Sequence, residues 1–179
     1  MLAAAVVFPE RLIFGRQPSW LREVDDSKSL NARKRSRLAR FILAEAEAVG
    51  LGMASHAEID EKNIARASLE AMTKAVRNLP LTPAYLLIDG QRFKLGELDI
   101  PQTGLSRGDR VSKSIAAASI VAKVLRDAMM MIFDDIYKGY KLCQNKGYGT
   151  REHYRALSEM GPTALHRLTF RLGAKAGRP

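Results

Sequence analysis

From Ser112 to about Tyr137 the chain reads as one long helix, and a helix of that length needs a large surface to rest on. Ala116, Ala117 and Ala118 are small enough to let its backbone settle closely on a sheet. Upstream, Ala84-Tyr85-Leu86-Leu87-Ile88 is a continuous apolar run of strand type that closes on Asp89-Gly90. A buried strand ending there sets a carboxylate at the rim of the sheet, and the packed helix can bring a second one, Asp127, beside it. Two such oxygens suit a hard divalent cation. Each aspartate also has an ordinary reading: Asp before Gly forms turns, and Asp127 after Arg126 can be a solvated helix charge.

The remaining pattern predicts an alternating α/β domain. Strands are expected at Leu2 to Phe8, Gly52 to His56 and Tyr85 to Ile88. Asn31 can cap a helix whose Leu38, Phe41, Ile42 and Val49 recur at helical spacing, with Gly50 as its stop. A second helix carries Ile64, Ala71, Met72, Ala75, Val76 and Leu79 and ends at Pro80. A third runs near Glu152 to Met160, after a polar, glycine-rich loop. Gln91 to Gly108 is the longest irregular stretch, with room for a short hairpin or strand. No linker or repeat interrupts the chain, so residues 1–179 are expected to form one domain with a basic carboxyl-terminal helical extension over about 138–179.

Charge narrows the partners. The formal net charge is +10, and from Lys138 to Pro179 nine Lys or Arg stand against two acidic residues. An excess of that kind meets phosphate, although charge alone does not identify the polyanion. Arg33, Lys34, Arg35, Arg37 and Arg40 form a second cluster, read as a solvated helix face. The single Cys143 cannot make an internal disulfide, as expected of a cytoplasmic protein. The opening apolar run is eight residues long before Pro9 and Glu10, so neither a signal peptide nor a membrane span is expected.

Several motifs occur in a fixed order: Asp26-Ser27-Lys28-Ser29-Leu30, Ile59-Asp60-Glu61-Lys62-Asn63-Ile64, Gly108-Asp109-Arg110, the Ser112-to-Asp127 stretch, Lys146-Gly147-Tyr148-Gly149-Thr150 with His153, and His166-Arg167-Leu168-Thr169-Phe170. In order and spacing the chain resembles type 2 ribonuclease H, also called ribonuclease HII, from about Ala3 to Phe170. The resemblance implies a ribonuclease H-like mixed sheet flanked by helices. The family's first strand carries Asp-Glu-Ala-Gly-Arg-Gly, which supplies two of four metal-binding carboxylates. That stretch is absent from this sequence, whose opening looks like the family's second strand. The expectation is an amino-terminally shortened sequence, with Met1 to Phe8 and Tyr85 to Ile88 lacking a shared neighbour and the sheet destabilised or rearranged.

The chemistry so implied is hydrolysis of the RNA strand of an RNA/DNA hybrid, including a single ribonucleotide embedded in duplex DNA, with 5′-phosphate and 3′-hydroxyl ends. Two Mn²⁺ or Mg²⁺ ions about 4 Å apart would activate water and stabilise the leaving oxygen. The resemblance sets Asp89 and Asp127 in the third and fourth carboxylate positions, as metal ligands of a site left incomplete and an activity left impaired. Tyr148 falls where the family senses the step from ribose to deoxyribose, the alternative being a tyrosine packed in a glycine turn. Lys28 and Lys146 are expected to meet phosphates. His153 and His166 read as structural or phosphate-adjacent. Asp109 lies near the site in the family pattern, with a surface role as the alternative, and Asp25 and Asp26 read as a helix-entry turn. The protein is expected to act as a monomer in the cytoplasm. The competing function is a catalytically inactive RNA/DNA hybrid-binding protein; a basic protein on ribosomal RNA explains the charge but not Asp89, Asp127 and Tyr148.

Overall fold

A computed structural model describes residues 1–91 and 93–170. The opening apolar run forms β1 (Leu2–Val7), followed by the short helices α1 (Glu10–Ile13) and α2 (Ser19–Arg22) and by α3 (Ala32–Glu45). Asn31 caps α3 as its sequence predicts, its side-chain oxygen accepting from the Lys34 N–H at 2.9 Å. Next comes β2 (Ala48–Met53), antiparallel to β1 with Leu2 opposite Met53 and Val7 opposite Ala48.

β2 departs from the expected boundaries. Gly50 does not stop a helix; α3 ends at Glu45, and Gly50 and Gly52 both lie inside the strand. A methyl on either would collide with a helix carbonyl oxygen, that of Ala75 for Gly50 and of Ala71 for Gly52. These glycines are there because a helix backbone lies directly against the strand. The expected strand end, Ser55-His56, instead opens α4 (His56–Lys62) through a capping box. The Ser55 hydroxyl oxygen accepts from the Glu58 N–H at 3.1 Å, and the Glu58 carboxylate accepts from the Ser55 N–H at 2.7 Å.

Asn63 then starts α5 (Ile64–Arg77), its side-chain oxygen accepting from Ala65 and Arg66 at 3.0 and 3.1 Å. β3 (Leu86–Asp89) pairs in parallel with β4 (Gln102–Leu105), a strand inside the stretch where the sequence leaves room for one. α6 (Gly108–Val111), α7 (Lys113–Ile136), α8 (Leu142–Asn145) and α9 (Arg151–Met160) complete the chain's described elements.

The α/β class is as expected, but among the described residues the sheet is in two pieces, β1 with β2 and β3 with β4. α7 packs against both β1 and β3, and α5 packs against β1 and β2. The alanines of α7 behave as read: Ala116 and Ala117 are buried with Ile120 and Val121 against Leu38 and Ile42 of α3. A cavity of about 470 Å³ lies between β1 and β3. Among the described residues no helix is long and apolar enough to cross a membrane.

Two of the sequence motifs meet each other. On α4, Asp60 accepts hydrogen bonds from the Leu168 N–H (2.7 Å), the Thr169 N–H (3.1 Å) and the Thr169 hydroxyl (2.5 Å). Burial alone would raise that carboxyl, but these donors hold it below the usual range. The end of the basic extension, past Phe170, lies outside the described residues.

Candidate active site

Asp89 closes β3, and the Gly108 N–H that begins α6 donates to its Oδ1 at 2.9 Å. Gly108 follows Arg107, which turns the chain through left-handed backbone (φ 52°). The same turn carries Asp109 to this corner. Burial pushes the Asp109 carboxyl above its ordinary value, and the negative charges of Asp26 and Asp89 push it further; Lys28 and Arg110 pull the other way.

Asp26 forms the turn its sequence suggests: its Oδ1 accepts from the Lys28 N–H at 2.9 Å, and its carbonyl oxygen accepts from the Ser29 hydroxyl at 2.7 Å. It also reaches α6, with Oδ2 3.6 Å from an Arg110 nitrogen. The Lys28 N–H, ahead of the other contacts, lowers the Asp26 carboxyl. The Lys28 side chain is exposed beside this corner. Asp89, Asp109, Asp26 and Lys28 therefore share one electrostatic neighbourhood.

Asp127 does not join them, which corrects the pairing expected from the sequence. Ile115 lies next to Gly108 and Asp89, since a methyl on Gly108 would meet both side chains. Asp127 is three turns further along the same straight helix, about 18 Å at 1.5 Å per residue. It is held in an ionic cluster instead. Its Oδ1 pairs with Lys123 and lies 3.6 Å from Arg126, and its Oδ2 lies 3.6 Å from Arg35. With its side chain 16% exposed and three cations around it, Asp127 is not a solvated helix charge; its carboxylate is occupied by ion pairs.

That cluster supports Tyr148. Its ring, 56% exposed, lies under the Arg126 guanidinium at 4.5 Å and near the Lys123 ammonium at 5.5 Å. Arg126 also donates to the Lys146 carbonyl oxygen at 2.7 Å, fixing the loop that presents the tyrosine. Tyr148 is thus an exposed aromatic face between cations rather than a ring packed in a glycine turn.

The segment from Asp26 to Arg35 links the two clusters. The hydroxyls of Ser27 and Ser119 are 2.8 Å apart, and Arg35 donates to the Ser27 carbonyl at 3.1 Å and also to that of Leu30. Arg35 is therefore turned inward, although the sequence reads its cluster as a solvated face; Lys34 and Arg37 pair with Glu23. The histidines are packed together, His153 and His166 stacked with their Nε2 atoms 3.4 Å apart, as a structural role requires. Among the described residues no group of three or more His, Cys, Asp or Glu side chains stands in metal-holding geometry. The residues that sequence reasoning undervalued are Asp109, Arg110 and Arg35; the Gly-Asp pair following the Asp89 strand was the available signal.

A parallel strand pair delivers Asp89 to a helix turn, with α7 packed against it, and solved structures of type 2 ribonucleases H share this fold. The structure of ribonuclease H2 from Pyrococcus horikoshii OT3 superposes with a TM-score of 0.71 at 18% identity, over 96% of this chain and 95% of that one. Ribonuclease HII in a PCNA complex from Archaeoglobus fulgidus gives 0.64 at 21% identity, over 87% of this chain and 76% of that one. The sequence profile described as Ribonuclease HII matches residues 1–172. Ribonuclease HII of Geobacter metallireducens is 48% identical over 171 residues, covering 96% of this chain and 76% of the relative. That of Levilactobacillus brevis is 48% identical over 147 residues, 82% of this chain and 56% of the relative. The chain belongs to the ribonuclease HII family, the type 2 ribonucleases H.

Proposed function

We propose that this chain acts on the RNA strand of RNA/DNA hybrids, and on single ribonucleotides embedded in duplex DNA, as an endonuclease whose reacting corner is Asp89 with Asp109. The observation that carries this reading is geometric: the Gly108 N–H is bound to the Asp89 carboxylate at 2.9 Å, so the next residue, Asp109, is held beside it, and burial together with the charges of Asp26 and Asp89 raises its carboxyl. Carboxylates crowded enough to repel one another form a site that a hard divalent cation relieves, and oxygen donors are what such a cation takes. Mn²⁺ or Mg²⁺ bound there supplies an activated water and stabilises the leaving oxygen.

The chain's own residues do the positioning. The Gly108 N–H holds the Asp89 carboxylate in one orientation. Lys28, exposed at the corner, meets a backbone phosphate, and Lys146 meets another at the Tyr148 loop. Tyr148 stacks its open face on a sugar and so reads the step from ribose to deoxyribose by shape. Asp127 keeps Lys123, Arg126 and Arg35 in register beneath it. The protein works as a monomer in the cytoplasm, its partners being hybrid and ribonucleotide-containing duplex.

Two carboxylates from this chain, against four in the family pattern, hold the cation weakly. Cleavage of end-labelled hybrid, and of duplex DNA with one ribonucleotide, is the test, run in Mn²⁺, Mg²⁺ and EDTA. A form carrying Asp-Glu-Ala-Gly-Arg-Gly ahead of β1 should cleave far faster than this chain. Equal rates for the two forms overturn the incomplete-site reading, and cleavage that persists in EDTA overturns the metal reading.

A further inference from the structure

Arg35 turns inward from α3 and holds two parts of the protein at once. Its Nη1 donates to the Ser27 carbonyl oxygen at 3.1 Å and to that of Leu30, the residues that bracket Lys28 and Ser29. Its Nη2 lies 3.6 Å from the Asp127 carboxylate, and its side chain is 13% exposed. The turn it grips is also fixed to α7, through the 2.8 Å contact between the Ser27 and Ser119 hydroxyls. Asp127 in turn pairs with Arg126, whose guanidinium lies on the Tyr148 ring at 4.5 Å and donates to the Lys146 carbonyl oxygen at 2.7 Å. One side chain therefore stands between the turn that exposes Lys28 and the loop that exposes Tyr148. Its two anchors on α7, Ser119 and Asp127, are separated by about 12 Å of helix at 1.5 Å per residue.

We propose that Arg35 is a positioning residue that sets the spacing between the phosphate contact at Lys28 and the sugar contact at Tyr148, and so fixes which phosphate of a duplex is gripped when the ring sits on the ribose-to-deoxyribose step. The inference deepens the nuclease reading and rests on its two contacts, Lys28 and Tyr148. A guanidinium suits this task, because its rigid planar fork holds partners on two sides, where a lysine ammonium is a point charge on a flexible stem. Three cations, Arg35, Lys123 and Arg126, share the single Asp127 carboxylate at sites between 13% and 28% exposed. Ion pairs withdrawn from water contribute little to the stability of a fold, but they do specify geometry. The geometry specified here has the scale of the ligand: about 12 Å is three to four steps of duplex at about 3.4 Å each. A turn displaced by one step would present a different phosphate to Lys28.

The test maps phosphates by affinity, in EDTA, so that no cleavage enters it. Duplex DNA with one ribonucleotide carries a single neutral methylphosphonate at successive positions from the junction, and binding to the full chain is read by fluorescence anisotropy. In the parent chain one position, missing from the profile of Lys28→Ala, should weaken binding about tenfold. Arg35→Lys keeps the charge and breaks the two-sided grip, so its profile should spread that loss over two or more neighbouring positions. Asp127→Asn cuts the link at its other end and should spread it likewise; should Arg35→Lys fail to fold, this variant decides. Hydrogen exchange without nucleic acid gives a second readout. The Ser29 amide, bonded to the Asp26 carbonyl at 3.0 Å, and the Tyr148 amide, bonded to that of Asn145 at 2.9 Å, should both exchange about tenfold faster in Arg35→Lys, while that of Asn78 keeps its rate. Faster exchange at Ser29 alone, or equally at all three, overturns the coupling. A sharp parent profile that stays sharp in Arg35→Lys, with affinity merely lower at every position, marks a purely structural role and overturns the proposal alone. A parent profile with no sensitive phosphate overturns the reading of Lys28 itself.

Discussion

The Gly108 N–H and the Asp89 carboxylate are joined across 2.9 Å, so the turn that opens α6 orients the acid that closes β3. The same turn places Asp109 where burial, and then the charges of Asp26 and Asp89, raise its carboxyl. Asp89→Asn and Asp109→Asn keep side-chain volume and remove one anionic donor each. Either should weaken Mn²⁺ binding, read by water-proton relaxation, and lower cleavage on the order of 10²-fold. Asp127→Asn should leave Mn²⁺ binding unchanged, since its carboxylate is occupied by Lys123, Arg126 and Arg35. Mn²⁺ affinity lost in Asp127→Asn and kept in Asp109→Asn would reverse this assignment.

Tyr148→Ala removes an exposed face and leaves its cations in place. Selection of the ribose-to-deoxyribose junction should fall by about 1–3 kcal/mol, the scale of a lost stacking contact. The slope of affinity against salt should stay the same, because phosphate contacts set it. Junction and continuous hybrid substrates compared across a salt series give both quantities, and an unchanged junction preference would leave Tyr148 without this role.

Gly52→Ala should destabilise the fold by about 1–3 kcal/mol, the usual cost of forcing extra volume into a packed contact. The cause is steric: the new methyl meets the Ala71 carbonyl oxygen of α5. Urea unfolding would show a lower midpoint with an unchanged slope. A midpoint equal to that of the parent chain would mean that α5 can move away.

The histidine pair predicts a pH dependence. Burial, and then the neighbouring His153, hold His166 below its ordinary value. In the unfolded chain it titrates near pH 6.5, so below that pH the unfolded state binds more protons than the folded one. Stability should therefore fall as pH drops through about 6.5, and this contribution should level off below the folded value. Thermal unfolding followed from pH 7.5 to about 5 tests it, and His166→Asn should flatten that slope. A slope identical in the variant would assign the effect elsewhere.

What the sequence made legible were features that repeat along the chain. The long helix and its alanine face follow from spacing, and α7 runs from Lys113 to Ile136, close to the Ser112-to-Tyr137 span expected. Asp89 was readable because a strand must end somewhere and Asp-Gly ends it. Asp127 misled because sequence separation hides helix rise: twelve residues beyond Ile115 put it three turns from the corner. Asp109 was undervalued because its significance comes from Asp26, a residue far away in the chain that only the fold brings near. Gly50 was read as a helix stop because glycine tells the reader that a side chain is excluded, not what excludes it.

The Asp60 carboxylate binds Leu168 and Thr169, residues 108 and 109 positions further on. A ribosome must therefore finish nearly the whole described fold before α4 receives these partners. At about 5–20 residues per second, α4 waits about 5–20 seconds for them. During that interval Asp60 is an ordinary solvated acid, and the seam it later closes stands open to proteases. Any change that slows synthesis between α5 and α9 lengthens that exposure without altering one contact of the finished molecule.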